Sequence, residues 1–109
     1  MFPNRQSVYL HDTPSKSLFE REDRALSHGC IRLQHPEKLA KILLSDMPGW
    51  TEPKIYNAMH QSKEQVVNLN REIPVVLIYL TFWPDSKGHG HFRRDIYNRD
   101  EDILSALRK

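Results

Sequence analysis

The chain holds a single cysteine, Cys30, so an internal disulfide framework is excluded and the unpaired thiol becomes a candidate for chemistry. Nowhere does an apolar run approach the roughly twenty residues that a spanning helix needs. The opening Met1-Phe2-Pro3-Asn4-Arg5 lacks the apolar core of a signal peptide. Charge of one sign is also missing: 16 Lys and Arg against 14 Asp and Glu leave a formal +2, with no block of five like charges, and nucleic acid is not the leading partner. There is no internal repeat and no low-complexity segment, which excludes solenoids and long linkers. What remains is a chain of 109 residues, 39% hydrophobic and 28% charged, sized as one domain or part of one. Two Trp, four Tyr, four Phe and a late run of Val, Ile and Leu can close a core.

The elements read in order. Ser7-Val8-Tyr9-Leu10-His11 is a short apolar run, a strand that delivers His11 to an edge. Asp12 to Leu26, rich in Ser and charge, reads as a loop of about fifteen residues, long enough to suspect function. His35-Pro36-Glu37 opens a helix, because Pro suits the first helical position and Glu the positive end of the dipole, and Leu39, Ile42 and Leu43 share one face. It stops near Asp46 to Gly49. Thr51 caps a second helix carrying Ile55, Ala58 and Met59 at helical spacing, with polar Asn68 to Glu72 ending it. Ile73 to Trp83 is apolar on both alternating faces and is expected as a central strand. Pro84 to Gly88 supplies turn residues, His91 to Tyr97 a partner strand, and Asp100 the cap of a last helix.

The reactive pattern is Ser27-His28-Gly29-Cys30-Ile31-Arg32. A nucleophilic thiol must be held as thiolate at neutral pH, although a free cysteine has a pKa near about 8.5, so it needs an imidazole or another positive field close by. Two histidines are available. His28 shares a face with Cys30 only in a regular strand, which Gly29 disfavours, whereas His11 reaches round through the loop. The amides of Gly29 and Cys30 suit an oxyanion, and glycine keeps the approach of a carbonyl clear. Acyl transfer is the chemistry implied. His28-x-Cys30 and His89-x-His91 lack a second Cys-containing pair, so no metal site is assigned. His89 to His91 is read as a hairpin turn, Arg93-Arg94 as a solvated strand face, and Trp50 and Trp83 as packing residues.

His11 followed at that interval by Ser27-His28-Gly29-Cys30-Ile31-Arg32 resembles the signature of the YkuD-type L,D-transpeptidases. Phe2-Pro3-Asn4, Val8-Tyr9-Leu10-His11-Asp12-Thr13-Pro14, Ile73-Pro74-Val75, Tyr79-Leu80-Thr81 and Asp95-Ile96-Tyr97 are similar to the C-terminal portion of the larger, YcbB-like Gram-negative members. The resemblance implies Cys30 as nucleophile, His11 as its base, Gly29 and Cys30 in the oxyanion hole and His28 as a site-shaping residue. Ser27 and Arg32 fall to substrate binding. Arg32 stands where some members carry Asn, and Asp12 where many smaller members carry Gly. The implied reaction is acyl transfer from a peptidoglycan tetrapeptide stem, with loss of D-Ala, to the amine of a second stem. It brings no cofactor, makes carbapenems covalent inhibitors of the same cysteine, and places the parent protein in the periplasm or cell envelope. No membrane segment lies in this chain.

The expected fold is mixed β with α: the C-terminal portion of a YkuD-like β-sandwich, with two helices after the catalytic motif, a late β-hairpin and a C-terminal helix. Only ten residues precede His11, so residues 1–109 read as the C-terminal part of one catalytic domain whose N-terminal strands are missing. A noncatalytic envelope-binding remnant and an unrelated zinc or nucleic-acid domain are the rival readings. The loop Thr13 to Ala25 is the candidate lid.

Overall fold

Of the expected strand Ser7 to His11 only the end forms, as β1 (Leu10–His11), which in the computed structural model pairs in parallel with β2 (Ile31–Arg32). The structure describes residues 2–109, which form two compact units, one ending at Ile73 and one spanning Pro74–Lys109. The ladder is short. Ile31 N donates to Tyr9 O at 2.9 Å and Leu33 N to His11 O at 2.8 Å, and Leu10 lies opposite Ile31 as His11 lies opposite Arg32. A parallel pair needs a long crossover. Here residues 12–30 supply it, with a 3₁₀ helix at Lys16–Glu20 inside what composition alone reads as loop.

Pro36 at the first turn and Glu37 behind it start α1 (Pro36–Leu44). α2 (Glu52–His60) follows Thr51 in extended backbone, with Pro53 in its first turn; the Thr51 side chain makes no capping bond. The two helices pack on each other, and Leu44 of α1 and Ile55 of α2, 8% and 3% exposed, are the buried large apolar side chains among the described residues. That corrects the expected face of α1. Leu39 and Leu43 are half-buried, while Ile42 points outward at 62% exposure, because the packing stripe centres on Leu44. On α2, Met59 is likewise exposed. Lys41 joins the pair, with Nζ 3.0 Å from Glu37 Oε1 and from Glu52 Oε2, and these carboxylates, Glu52 first, raise its pKa. α2 ends at His60, well before the polar Asn68 to Glu72, and Arg71 and Asn70 fold back onto Asp46.

In the second unit the sequence expects a strand over Ile73 to Trp83, and the structure forms only its end. β3 (Phe82–Pro84) pairs antiparallel with β4 (Gly90–Phe92), and residues 73–80 have no ladder partner among the described residues. Alternating apolar residues give a strand a reason to be buried but cannot supply its hydrogen-bonding neighbour. Val76 and Ile78 consequently stand 79% and 71% exposed. The hairpin turn is Asp85 to Gly88, closed by Asp85 N to His89 O at 2.9 Å and Gly88 N to Asp85 O at 3.0 Å; Gly90, expected in the turn, lies in the strand, and His91, read both as turn and as the start of the partner strand, lies there too. β4 stops at Phe92, short of the expected Tyr97. Trp83 stacks on His91 with 13° between the rings and carries Arg93 at 5.0 Å. α3 (Asp100–Leu107) begins with Asp100 inside the helix, so Asp100 is not its cap. Asp95 Oδ2 takes the Asp100 N–H at 2.9 Å and Thr81 donates to the Asp100 carboxylate at 2.8 Å. No helix among the described residues is long and apolar enough to cross a membrane.

Candidate active site

Immediately ahead of β2 the chain makes a tight turn that sets the cysteine. Ser27 Oγ donates to Cys30 O at 2.6 Å and accepts the Gly29 N–H at 3.2 Å, so one hydroxyl ties off both ends of Ser27-His28-Gly29-Cys30. Gly29 has φ of +145°, a conformation that L side chains rarely adopt. Space is not the reason for glycine there, since a Cβ would meet nothing within 4 Å. Beyond the turn, strand alternation puts Cys30 and Arg32 on one face and Ile31 on the other. His11, in register with Arg32 on the neighbouring strand, joins that face.

These side chains line an open cleft of about 340 Å³, in the range of small-ligand sites. His11, Ser27, His28, Gly29, Cys30 and Arg32, the six residues singled out from sequence, all contribute to it. Another part of the wall is Gln6, Ser7 and Val8, which sequence reasoning did not mark as site residues. Its conformation is held by Asn4, whose Nδ2 donates to Val8 O at 2.9 Å and whose Oδ1 accepts the Val8 N–H at 2.9 Å. Ser7 is driven to φ of +53°, an uncommon state for a non-glycine residue. An Asn four residues before Val8 is the one sequence signal for such a clamp.

The Cys30 thiol is half-buried and donates to Ser7 O at 3.8 Å. His11 is exposed, and its Nδ1 is in hydrogen-bond contact with the Asp12 carbonyl. A carbonyl only accepts, so that contact assigns the proton to Nδ1 and leaves the lone pair of the neutral ring on Nε2, the atom able to take a proton from a thiol. Among the described residues no hydrogen bond joins Cys30 to His11; they share the cleft and each is oriented by a main-chain carbonyl. The Asp12 carboxyl accepts from Lys16 Nζ and, at 2.7 Å, from Thr13 N, and the Lys16 bond first, then that of Thr13, holds its pKa below the ordinary value. Among the described residues no three His, Cys, Asp or Glu side chains are grouped to hold a metal ion.

Residues 1–76 match the catalytic domain of the YkuD L,D-transpeptidases. The chain belongs to this family. The match takes in the whole cleft and ends just past the boundary of the first unit. A curated relative, named as a candidate L,D-transpeptidase of Haemophilus influenzae, is 39% identical over 104 residues, 95% of this chain, an extent that runs on into the hairpin and α3. The chain spans about a fifth of that relative's length, 21%. The L,D-transpeptidase relationship accounts for a mixed α/β chain with three helices and short strands as a partial domain of this fold.

Proposed function

We propose that this chain carries the nucleophile and base of a peptidoglycan L,D-transpeptidase acting in the periplasm or cell envelope during cell wall biogenesis. The observation that supports it best is that His11 and Cys30, far apart in sequence, border one cleft inside the region matched to the family. The thiol proton passes to Nε2 of His11, and sulfur attacks the carbonyl carbon joining the third stem residue to the terminal D-Ala. The Cys30 amide serves the developing oxyanion, joined by the Gly29 N–H once it leaves the Ser27 hydroxyl, with Arg32 and Ser27 on the substrate side and His28 shaping the wall. The C–N bond breaks as His11 returns the proton to the departing D-Ala nitrogen, leaving a thioester. The amine of a second stem then attacks the thioester and gives its proton to His11, the C–S bond breaks, and Cys30 is regenerated. The product is a cross-link between third-position residues. Pairs of this kind commonly tighten only once substrate is bound, so the absence of a bond from His11 to Cys30 does not oppose the reading.

A second reading, a noncatalytic envelope-binding remnant, is favoured by the exposure of His11 and by the two-residue length of the strands that frame it. Proximity worth several kcal/mol is lost when such support is loose. Intact mass spectrometry after incubation with a carbapenem separates the two. The catalytic reading expects one covalent adduct, mapped to Cys30 and missing from Cys30→Ala; no adduct, or an adduct elsewhere, overturns it.

A further inference from the structure

The Lys16 ammonium has three N–H donors, and three acceptors surround it: the Asp12 carboxylate, Leu33 O at 3.1 Å and Gln34 O at 3.1 Å. Such a lysine is fully engaged within the fold and has no donor to spare for a substrate. Its partners lie on both sides of the site. Asp12 directly follows β1, and Leu33 and Gln34 directly follow β2. Leu33 also donates its N–H to His11 O, so Lys16 adds a side-chain rung just past the last rung of the ladder.

We propose that Lys16 is a positioning residue for His11: by pinning Asp12 to the end of β2 it fixes the carbonyl that holds the imidazole in its Nδ1-protonated form. The inference rests on the reading of His11 as the base. An exposed histidine on a two-residue strand has free rotamers, and ordering it has an entropic cost that some contact must offset. The Asp12 carbonyl is that contact, and a carbonyl orients a ring only if its own peptide is held. Two local bonds act on that peptide. Thr13 N donates to Asp12 Oδ1, and Ser15 N donates to Thr13 Oγ1 at 3.2 Å, around a Thr13 that is 7% exposed. Both stay within the loop. Lys16 is what ties the Asp12 carboxylate across to the segment that follows β2, at Leu33 O and Gln34 O. An isolated exposed ion pair contributes little, but an ammonium with all three donors committed to fixed acceptors has a defined geometry.

The test is a double-mutant cycle on the full chain, read by the rate of Cys30 alkylation with iodoacetamide between pH 5 and 10. His11→Ala should slow Cys30 alkylation at pH 7 by about tenfold or more. Lys16→Met should slow alkylation at pH 7 by about tenfold in the wild-type background and less than twofold in His11→Ala, the non-additivity expected of residues in one hydrogen-bonded chain. Long-range ¹H–¹⁵N spectra at pH 8 should show His11 as the Nδ1–H tautomer in wild type and mixed in Lys16→Met. Thermal melts check that each variant folds, and Lys16→Gln takes the place of Lys16→Met if the latter does not melt cooperatively. Equal slowing in both backgrounds, no slowing in wild type, or an unchanged tautomer overturns the role of Lys16. An unchanged alkylation rate at pH 7 in His11→Ala removes His11 as base and the proposal with it.

Discussion

His11 lies directly opposite Arg32 in the parallel ladder of β1 and β2, and this register, with Cys30 two residues before Arg32, is what brings a histidine and a cysteine from separate segments to one cleft. Without the ladder the two would be joined only by the loop between them. The pairing is set by main-chain bonds of 2.8 and 2.9 Å and needs no contact between the functional side chains.

Loss of the base should be graded where loss of the nucleophile is absolute. His11→Ala is expected to slow carbapenem acylation of Cys30 by about a hundredfold or more, the ordinary scale for a missing acid/base group. The readout is the time course of adduct formation by intact mass, and an unchanged rate would remove His11 from the mechanism.

Gly29→Ala should damage the site through the backbone. With φ of +145° and open space where the Cβ would go, the variant meets strain without a clash, about 1–3 kcal/mol at such a position. Relief requires the Ser27 to Cys30 turn to reopen. A modest fall in melting temperature with a tenfold or larger fall in acylation rate is expected, and equal acylation would show that the turn is not needed.

The packing of α1 on α2 can be weighed by two truncations. Ile55→Ala removes a side chain that is 3% exposed and should cost about 2–4 kcal/mol, whereas Ile42→Ala, at 62% exposure, should stay within about 0.5 kcal/mol. Denaturant titrations followed at 222 nm compare them. Similar losses would mean that the helix face has been assigned wrongly.

Acid should loosen the hairpin. The Asp85 carboxyl is held below the ordinary carboxylate pKa, first by the His89 N–H and next by the His91 ring, with the Lys87 N–H also bound to it. A group whose folded pKa is lowered binds its proton more weakly than in the unfolded chain. Its contribution is therefore complete above the ordinary value of about 4 and is lost as pH falls through the folded value. The melting difference between wild type and Asp85→Asn should shrink as pH is taken from 6 to 3, while a constant difference would deny the linkage.

Self-association should follow the exposed run of the second unit. Val76 and Ile78, two residues apart and both largely exposed, place apolar surface in water. Light scattering should find wild type associated at micromolar concentration and the double variant Val76→Lys, Ile78→Lys shifted toward monomer; identical profiles would rule the run out.

Much of this was legible in residue order. The spacing of His11 from Ser27-His28-Gly29-Cys30-Ile31-Arg32 was enough to name the family and to select six residues that border one cleft. Pro36 and Pro53 marked the starts of α1 and α2, because proline's missing N–H and restricted φ act within one turn. Tertiary structure decided the rest. Residues 75–80 carry the local preferences of a strand, yet a strand exists only when a second chain segment meets its N–H and C=O groups, and a linear pattern does not say which segment that is. Ile42 and Leu44 are both apolar residues of one helix, and only the position of α2 chooses between them. Lys16, indistinguishable in sequence from the other exposed lysines, acquires two of its three partners, Leu33 O and Gln34 O, from the return of β2 alongside β1, a long-range closure that no local propensity encodes.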